Sequence, residues 1–290
     1  MNKNILLLVP VYNDWSSLNK LLRKINRVFE KELKTKFELI IVNDCSSGTY
    51  DFKKYKLKTV KKIKVITLYE NVGSQRAIAI GLRYINKFYK KKFNTIIMDS
   101  DGQDNPNIIK KLILKSNLNP GYSIVVDRGQ RKEPLWFRFF YEAYCLLVKI
   151  FSSKKIRFGN YSLISFSHLK KLSSKNELWS AFPPTVCLHI KDIIHIKADR
   201  EKRYTGESKM NFFGLIFHAL KIFSVLKYRV LFFSFIYFFL SLVLLHETNN
   251  IYFFIINFML FLLNLFIFSI SINNKKKFLE NFKKIKVKII

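Results

Sequence analysis

Asn94-Thr95-Ile96-Ile97-Met98-Asp99-Ser100-Asp101-Gly102-Gln103-Asp104-Asn105 is the stretch from which the rest of this 290-residue chain can be read. Thr95 to Met98 is a short apolar, β-rich run of the kind that forms a fully buried strand. It stops abruptly at Asp99-Ser100-Asp101, followed by Gly102 and the Asn105-Pro106 turn. Carboxylates at the carboxyl end of a buried strand lie where open α/β sheets bind ligands. Alternate residues of an extended chain point the same way, so Asp99 and Asp101 can converge on one hard cation. Mg²⁺ or Mn²⁺ would keep further positions for water and phosphate oxygens. The plainer reading is an acidic turn in which Asp104 or Asn105, before Pro106, caps the next helix. The motif alone does not choose between the two.

Working outward, Ile5 to Val9 reads as a first buried strand, with Pro10-Val11-Tyr12-Asn13-Asp14 as the loop at its end. Leu18, Leu21, Leu22, Ile25 and Phe29 then recur at helical spacing. Phe37 to Val42 is a second strand, closing in Asn43-Asp44-Cys45-Ser46-Ser47-Gly48, and Ile63 to Leu68 a third. Asn71-Val72-Gly73-Ser74 leads into a helix on which Ala77, Gly81, Ile85 and Phe88 share a face. Strands alternating with helical periods predict right-handed βαβ units and an α/β fold with a mostly parallel sheet. Asp14, Asp44, Asn71, Asp99 and Asp101 are then expected along one edge of it.

The formal charge of +31 suits an anionic partner: nucleic acid, an anionic membrane face or a phosphorylated substrate. Cys45, Cys145 and Cys187 are far apart and read as reduced packing residues. The five histidines show no mutual metal-binding spacing. The apolar start is interrupted by Pro10 and lacks a small-residue cleavage site, so it reads as a strand and not a signal peptide.

After Lys209 the chain changes character. Residues 211–229 carry Phe212, Leu215, Ile216, Ala219, Leu220 and Phe223 on one side, the pattern of an amphipathic helix lying in a membrane interface. Val230 to Leu245 and Ile251 to Ile272 hold no charged residue. They predict a transmembrane hairpin over 230–272, as helices 230–246 and 251–272. Lys227 and Arg229 before it, and Lys275 to Lys277 after it, place the preceding domain and the tail in the cytoplasm. The basic tail 273–290 is expected to lie on anionic lipid.

Val9-Pro10-Val11-Tyr12-Asn13-Asp14, Val42-Asn43-Asp44, Asn71-X-Gly73-X-X-X-Ala77-X-X-X-Gly81 and Met98-Asp99-Ser100-Asp101-Gly102 occur in order. They are followed by Arg128-X-X-Arg131, Phe140-Tyr141, Gly159-X-X-X-Leu163 and Arg203-Tyr204-Thr205-Gly206-Glu207-Ser208-Lys209. This set resembles the family 2 glycosyltransferases of GT-A (Rossmann-like) fold, and is most similar to their dolichol-phosphate-mannose synthase-like and bacterial polyprenyl-phosphate branch. The resemblance covers residues 1–210. It implies that Pro10, Tyr12, Asp14 and Asp44 hold the base and ribose of a nucleotide-sugar, with Asn71, Gly73 and Ser100 as further donor contacts. It implies that Asp99 and Asp101 hold Mg²⁺ or Mn²⁺ on the diphosphate. Arg128, Arg131, Arg203 and Lys209, with Ser208, form the candidate clamp for acceptor and donor phosphates, because guanidinium forks match phosphate geometry. Gly159-Asn160-Tyr161 departs from the pattern, since relatives commonly carry an Asp and an Arg after this glycine.

No Glu-Asp pair stands out as a general base, which suits an acceptor that is already ionised. Asp127, Glu177 and Asp192 remain as other bases. The expected activity is inverting transfer of a sugar from a UDP- or GDP-sugar to a polyprenyl phosphate at an anionic membrane. Transfer to a sugar hydroxyl and a non-catalytic basic membrane module are the alternatives. No aromatic-basic nucleic-acid motif is present, and the sequence leaves self-association open.

Overall fold

The structure, a computed structural model, describes residues 4–48, 57–129, 135–152, 156–205, 212–248 and 251–290. Strands β1 (Ile5–Val11), β2 (Phe37–Asn43), β3 (Val60–Thr67) and β4 (Asn94–Ile97) run parallel, as the alternation predicts. Between and after them lie α1 (Trp15–Arg27), α2 (Ser74–Phe88) and α3 (Ile108–Leu118). The second half of the domain comprises β5 (Ser123–Arg128), α4 (Leu135–Ser152), β6 (Phe158–Ile164), α5 (Phe166–Ser173), α6 (Phe182–His189) and β7 (Ile193–Ala198). The carboxyl-terminal part comprises α7 (Phe212–Val225), α8 (Lys227–Thr248), α9 (Ile251–Lys283) and β8 (Lys286–Ile289).

The strand order is β7-β5-β6-β4-β1-β2-β3-β8, with β6 antiparallel to β4 and β5, and β8 antiparallel to β3. One sheet edge therefore collects the carboxyl ends of β1 to β5 and β7 together with the amino ends of β6 and β8. Ile5, Leu7, Val9 and Val11 pack with Leu18, Leu21, Ile25 and Phe29 on one face. Leu6 and Leu8 pack with Ala77, Ile78 and Leu82 on the other. Both faces are covered, which is why the strands read as continuous apolar runs. At Gly81 a Cβ would strike Leu8 and Val42, so this glycine lets α2 sit close on the sheet.

β1 runs two residues further than its apolar pattern suggests and includes Pro10. The Leu8 carbonyl accepts from Met98, so residues 8 and 10 face β4, and the β4 ladder ends before Pro10 is reached. The missing N–H of Pro10 costs no ladder bond there.

α7 and α8 meet at Leu226 with a bend of 91°. Among the described residues α9 is the one helix that is by itself long and apolar enough to cross a membrane. Its 33 residues extend for about 50 Å at 1.5 Å per residue. α8 and α9 form an antiparallel pair joined by a polar ladder. Lys227 Nζ donates to Ser271, Asn264 Nδ2 to Ser234 Oγ at 2.9 Å, and Asn257 Nδ2 to Ser241 Oγ at 2.6 Å. The rungs recur every seven residues on both helices, the spacing that keeps one helix face toward its neighbour.

The helix boundaries differ from expectation at both ends: α8 starts three residues before 230, and α9 runs well past 272. The tail also differs. Instead of lying free on lipid, it continues α9 back to the sheet domain and ends in β8. Phe278 is fully buried and stacks on Trp179 with ring centroids 5.0 Å apart. Lys286-Val287-Lys288-Ile289 then pairs with Lys64 to Thr67. Alternating lysine and apolar residues suit an edge strand as well as a lipid surface, and β3 would otherwise leave its edge N–H and C=O groups unpaired. Trp179, together with Arg83 of α2 over the Phe278 and Phe282 rings, thus forms the seat for the returning helix.

Candidate active site

Two loops at the ends of β1 and β2 are stitched together. Asn13 Oδ1 accepts from the N–H and the hydroxyl of Ser47, at 2.8 and 3.0 Å, and the Asn13 N–H donates to Ser46 Oγ at 2.9 Å. Asn13 and Cys45 take positive φ to make these turns. Asp14 begins α1 without capping it through its side chain. Its Oδ1 instead accepts from the Thr205 hydroxyl at 3.1 Å. Tyr12 projects from the same loop and is 41% exposed.

Asp44 is buried, with its two oxygens accepting from the N–H groups of Val72 and Gly73 at 2.8 Å each. Burial pushes its carboxyl up, against the pull of those two amides and the Arg76 charge. Asp44 therefore holds the β3–α2 loop, and each oxygen keeps a second lone pair for a ligand. Gly73 has a φ of 90° and open space where a Cβ would lie. Its requirement is the turn and not close packing. Asn71 is exposed on that loop.

At the end of β4, Ser100 is buried and Asp99 and Asp101 are half-buried. Asp99 Oδ1 accepts from Asn160 Nδ2 at 2.8 Å. Asp101 Oδ1 accepts from the Gln103 N–H at 3.0 Å, and Asp101 Oδ2 lies 3.4 Å from Arg203 Nη2. The chain from β7 folds over the turn: the Tyr204 N–H donates to the Asp101 carbonyl, and the Tyr204 ring lies where a Cβ on Gly102 would be. Asp104 turns inward to accept from the Asp99 N–H at 3.2 Å, and burial pushes it up to about 7. Neither Asp104 nor Asn105 is the cap of α3; Asn105 Oδ1 accepts from Asn107, which precedes the helix.

The donor set at this turn fits a hard divalent cation. Burial and then the Asp99 charge push Asp101 up, so the two carboxylates crowd each other. A cation shared by their oxygens would relieve that crowding and leave positions for water and phosphate. Among the described residues no group of three or more His, Cys, Asp or Glu gathers as a closed metal cage. The strand ends bearing Asp44 and Asp99 are separated by β1 alone, about 10 Å by strand spacing.

Asn160 and Gln75 complete the arrangement. Asn160, directly after Gly159, spends its amide on Asp99. Gln75 Nε2 donates to Asn160 Oδ1, while Gln75 Oε1 accepts from the Phe182 N–H at 2.8 Å, an otherwise orphaned donor at the start of α6. Sequence reading passes over Gln75, although it lies inside the Asn71 to Gly81 motif.

Arg128 ends β5 on the same edge, its guanidinium lying against Gly159 where any Cβ would collide with it. Arg131, Ser208 and Lys209 lie outside the described residues. Of the other bases considered, Asp127 lies 3.0 Å from His195 Nδ1, Glu177 is 3.9 Å from His189, and Asp192 lies at the opposite edge, 3.9 Å from His168.

The pattern of the family described as Glycosyl transferase family 2 matches residues 7–173, more than half of the chain. The chain belongs to glycosyl transferase family 2. This glycosyltransferase is 26% identical over 251 residues to an uncharacterized glycosyltransferase of Synechocystis sp. (strain ATCC 27184 / PCC 6803 / Kazusa), covering 79% of the chain and 72% of the relative. Glucosyl-3-phosphoglycerate synthase from Mycobacterium tuberculosis, solved with Mn²⁺ and UDP-glucose, superposes with a TM-score of 0.53 at 13% identity, covering 79% of each chain. That likeness shows a shared GT-A fold. A structure of S. aureus TarS residues 1–349 matches with a TM-score of 0.48 at 16% identity, and this glycosyltransferase spans 79% of itself and 65% of that chain.

Proposed function

We propose that this glycosyltransferase moves a sugar from a UDP- or GDP-sugar to a polyprenyl phosphate at a membrane surface. The observation that carries the reading is that the acidic edge and the apolar helices meet. Asn281 near the end of α9 donates to Glu70 at 2.9 Å, beside the loop that Asp44 holds. α7 docks on the same side through Ser224 Oγ to Ser180 Oγ at 3.1 Å. An acceptor whose tail stays in the bilayer and whose phosphate lies at its surface is met by such an arrangement.

In this reading Tyr12, Asp14, Asp44 and the Asn71–Gly73 loop orient the nucleoside, with Pro10 and Ser100 shaping the floor. Asp99 and Asp101 hold Mg²⁺ or Mn²⁺, which supplies neutralisation of the departing diphosphate. Arg203, beside Asp101, adds positive charge there, and Arg128, Arg131, Ser208 and Lys209 complete the phosphate clamp. An acceptor phosphate oxygen attacks the anomeric carbon in line, forming a C1–O bond with inversion as the bond to the diphosphate breaks. The attacking oxygen is already ionised, so no proton has to be removed, and positioning supplies much of the rate. α8 and α9 cross the membrane as a hairpin with the catalytic domain in the cytoplasm.

The test is incubation of the full chain in lipid nanodiscs with Mn²⁺, a panel of labelled UDP- and GDP-sugars and a short polyprenyl phosphate. A mild-acid-labile glycolipid is expected with one donor. Transfer only to a glycan hydroxyl, or binding without turnover, would refute the acceptor.

A further inference from the structure

Residues 199–205, the chain leaving β7, lie as a strap across the acidic turn at the end of β4. Two backbone bonds lay it along that turn: the Glu201 N–H donates to the Gln103 carbonyl at 2.9 Å, and the Tyr204 N–H to the Asp101 carbonyl at 3.0 Å. α1 holds the strap from its other side. Ser17 is fully buried on a helix whose other buried side chains are mostly apolar, and its hydroxyl meets that of Thr205. Thr205 gives its one hydroxyl proton to Asp14, so Ser17 donates to Thr205. Lys24, two turns further along α1 and therefore on the same side, lies 3.6 Å from Glu201 Oε2 and 4.6 Å over the Tyr204 ring. Fixed in this way, the strap sets Arg203 Nη2 3.4 Å from Asp101 Oδ2, with both side chains mostly shielded from water.

We propose that Arg203 keeps a bare divalent cation off the Asp99–Asp101 turn and yields to it when a diphosphate arrives, with Ser17 and Lys24 as the positioning residues that hold Arg203 there. The inference rests on the reading of Asp99 and Asp101 as the holders of the cation, and adds two α1 residues that the sequence motifs do not contain. Arg203 opposes an ion that comes alone in two ways, by repulsion and by competing for Asp101. In a place partly shielded from water, salt screens neither effect fully. A nucleoside diphosphate reverses the balance, because its oxygens offer the guanidinium fork a new partner and leave Asp101 to the ion. Metal and nucleotide then bind as a coupled pair, each strengthening the other. Ser17 contributes more to the hold than Lys24, whose pair with Glu201 is half-exposed.

The full chain in lipid nanodiscs is titrated with Mn²⁺ alone and with Mn²⁺ in saturating UDP or GDP, the free ion being read by electron paramagnetic resonance. Arg203→Gln is expected to bind Mn²⁺ alone about fivefold more tightly than the wild type, and Mn²⁺ with the nucleotide about tenfold more weakly. Arg203→Lys keeps the charge without the fork, and is expected to hold bare Mn²⁺ as weakly as the wild type does. Ser17→Ala is expected to tighten the binding of bare Mn²⁺ about threefold, Lys24→Met by less, and Lys24→Arg not at all. Should Arg203→Gln fail to fold, Ser17→Ala decides by the same comparison. Bare-ion affinity equal to that of the wild type, or two constants that move in the same direction, would overturn the proposal. If the wild type takes up Mn²⁺ with nucleotide and the variants gain nothing for the bare ion, the proposal alone fails. If the wild type takes up no Mn²⁺ even with nucleotide, the metal reading fails and carries the proposal with it.

Discussion

At the scale of single residues, Asp99 and Asp101 carry the heaviest demand, because the two carboxylates crowd each other while Asn160 holds one and the Gln103 amide and Arg203 hold the other. Asp101→Ala or Asp99→Asn is expected to abolish transfer, an effect of at least about a hundredfold for loss of a metal-binding charge. The protein should stay folded and membrane-bound by circular dichroism and flotation, and EDTA should mimic the loss. Undiminished turnover in either variant or in EDTA would remove the metal role. Gln75 makes a second case. Its side chain joins Asn160, the partner of Asp99, to the first amide of α6. Gln75→Ala leaves those two groups short of a partner and is expected to lower kcat about tenfold at a stability cost of about 1–3 kcal/mol. Wild-type kcat with only a lowered melting temperature would show that Gln75 is a cap and nothing more. Asp99 and Asp101 were legible because a strand ending in carboxylates is a local pattern. Gln75 was not, since its meaning depends on Asn160 and Phe182, 85 and 107 residues away.

At the scale of elements, the parallel half of the sheet followed from alternating strand and helix periods, with boundaries off by one to three residues. The antiparallel entries of β6 and β8 did not. The apolar run of β6 gives no sign of direction, and β8 is a four-residue strand whose partner lies more than two hundred residues earlier. The seat for the returning helix tests this element directly. Phe278→Ala opens a cavity against Trp179 and is expected to cost about 3–5 kcal/mol. The loss should appear as a lower melting temperature together with faster proteolysis after Asn281, and an unchanged melting temperature would show that the stacking is incidental. His168 gives an element-level pH prediction, because it links α5 to β5 by a 2.8 Å contact with Ser123 Oγ. Burial holds its folded pKa below the ordinary value, so the unfolded chain takes the proton first as pH falls. Its contribution to stability is present above about pH 6.5 and is lost as pH drops through the lower folded value. The melting temperature should therefore fall between pH 7 and 5, less steeply in His168→Gln. An identical slope in both proteins would exclude this histidine as a source.

At the scale of the whole molecule, the placement of the helices relative to the sheet decides the topology. α7 docks on the α6 side of the domain and turns through 91° into α8, while α9 returns to the same domain and ends in β8. Two attachments to one domain require an even number of crossings, so the hairpin passes out and back if it enters the bilayer at all. The apolar part of α9, Ile251 to Ile272, extends for about 33 Å, close to the roughly 30 Å of a hydrocarbon core. Phe232, Phe235, Phe239, Phe254, Phe258 and Phe261 face outward from the pair, a larger apolar surface than a monomer in water exposes. The runs free of charge made these two helices legible in the sequence. The seven-residue ladder of serine, asparagine and lysine between them could have been read as well, but only by writing the second helix backwards against the first. Cys45 is exposed at the acidic edge and serves as a reporter for the catalytic side. In a background with Cys145 and Cys187 changed to alanine, a membrane-impermeant maleimide applied to intact cells should leave Cys45 unlabelled. The same reagent should label Thr248→Cys in that background with Cys45 also removed. In inverted vesicles the pattern should reverse. Labelling of both positions from one face would mean that the hairpin lies in a single leaflet, and the crossing would then have to be abandoned while the glycosyltransferase fold stood.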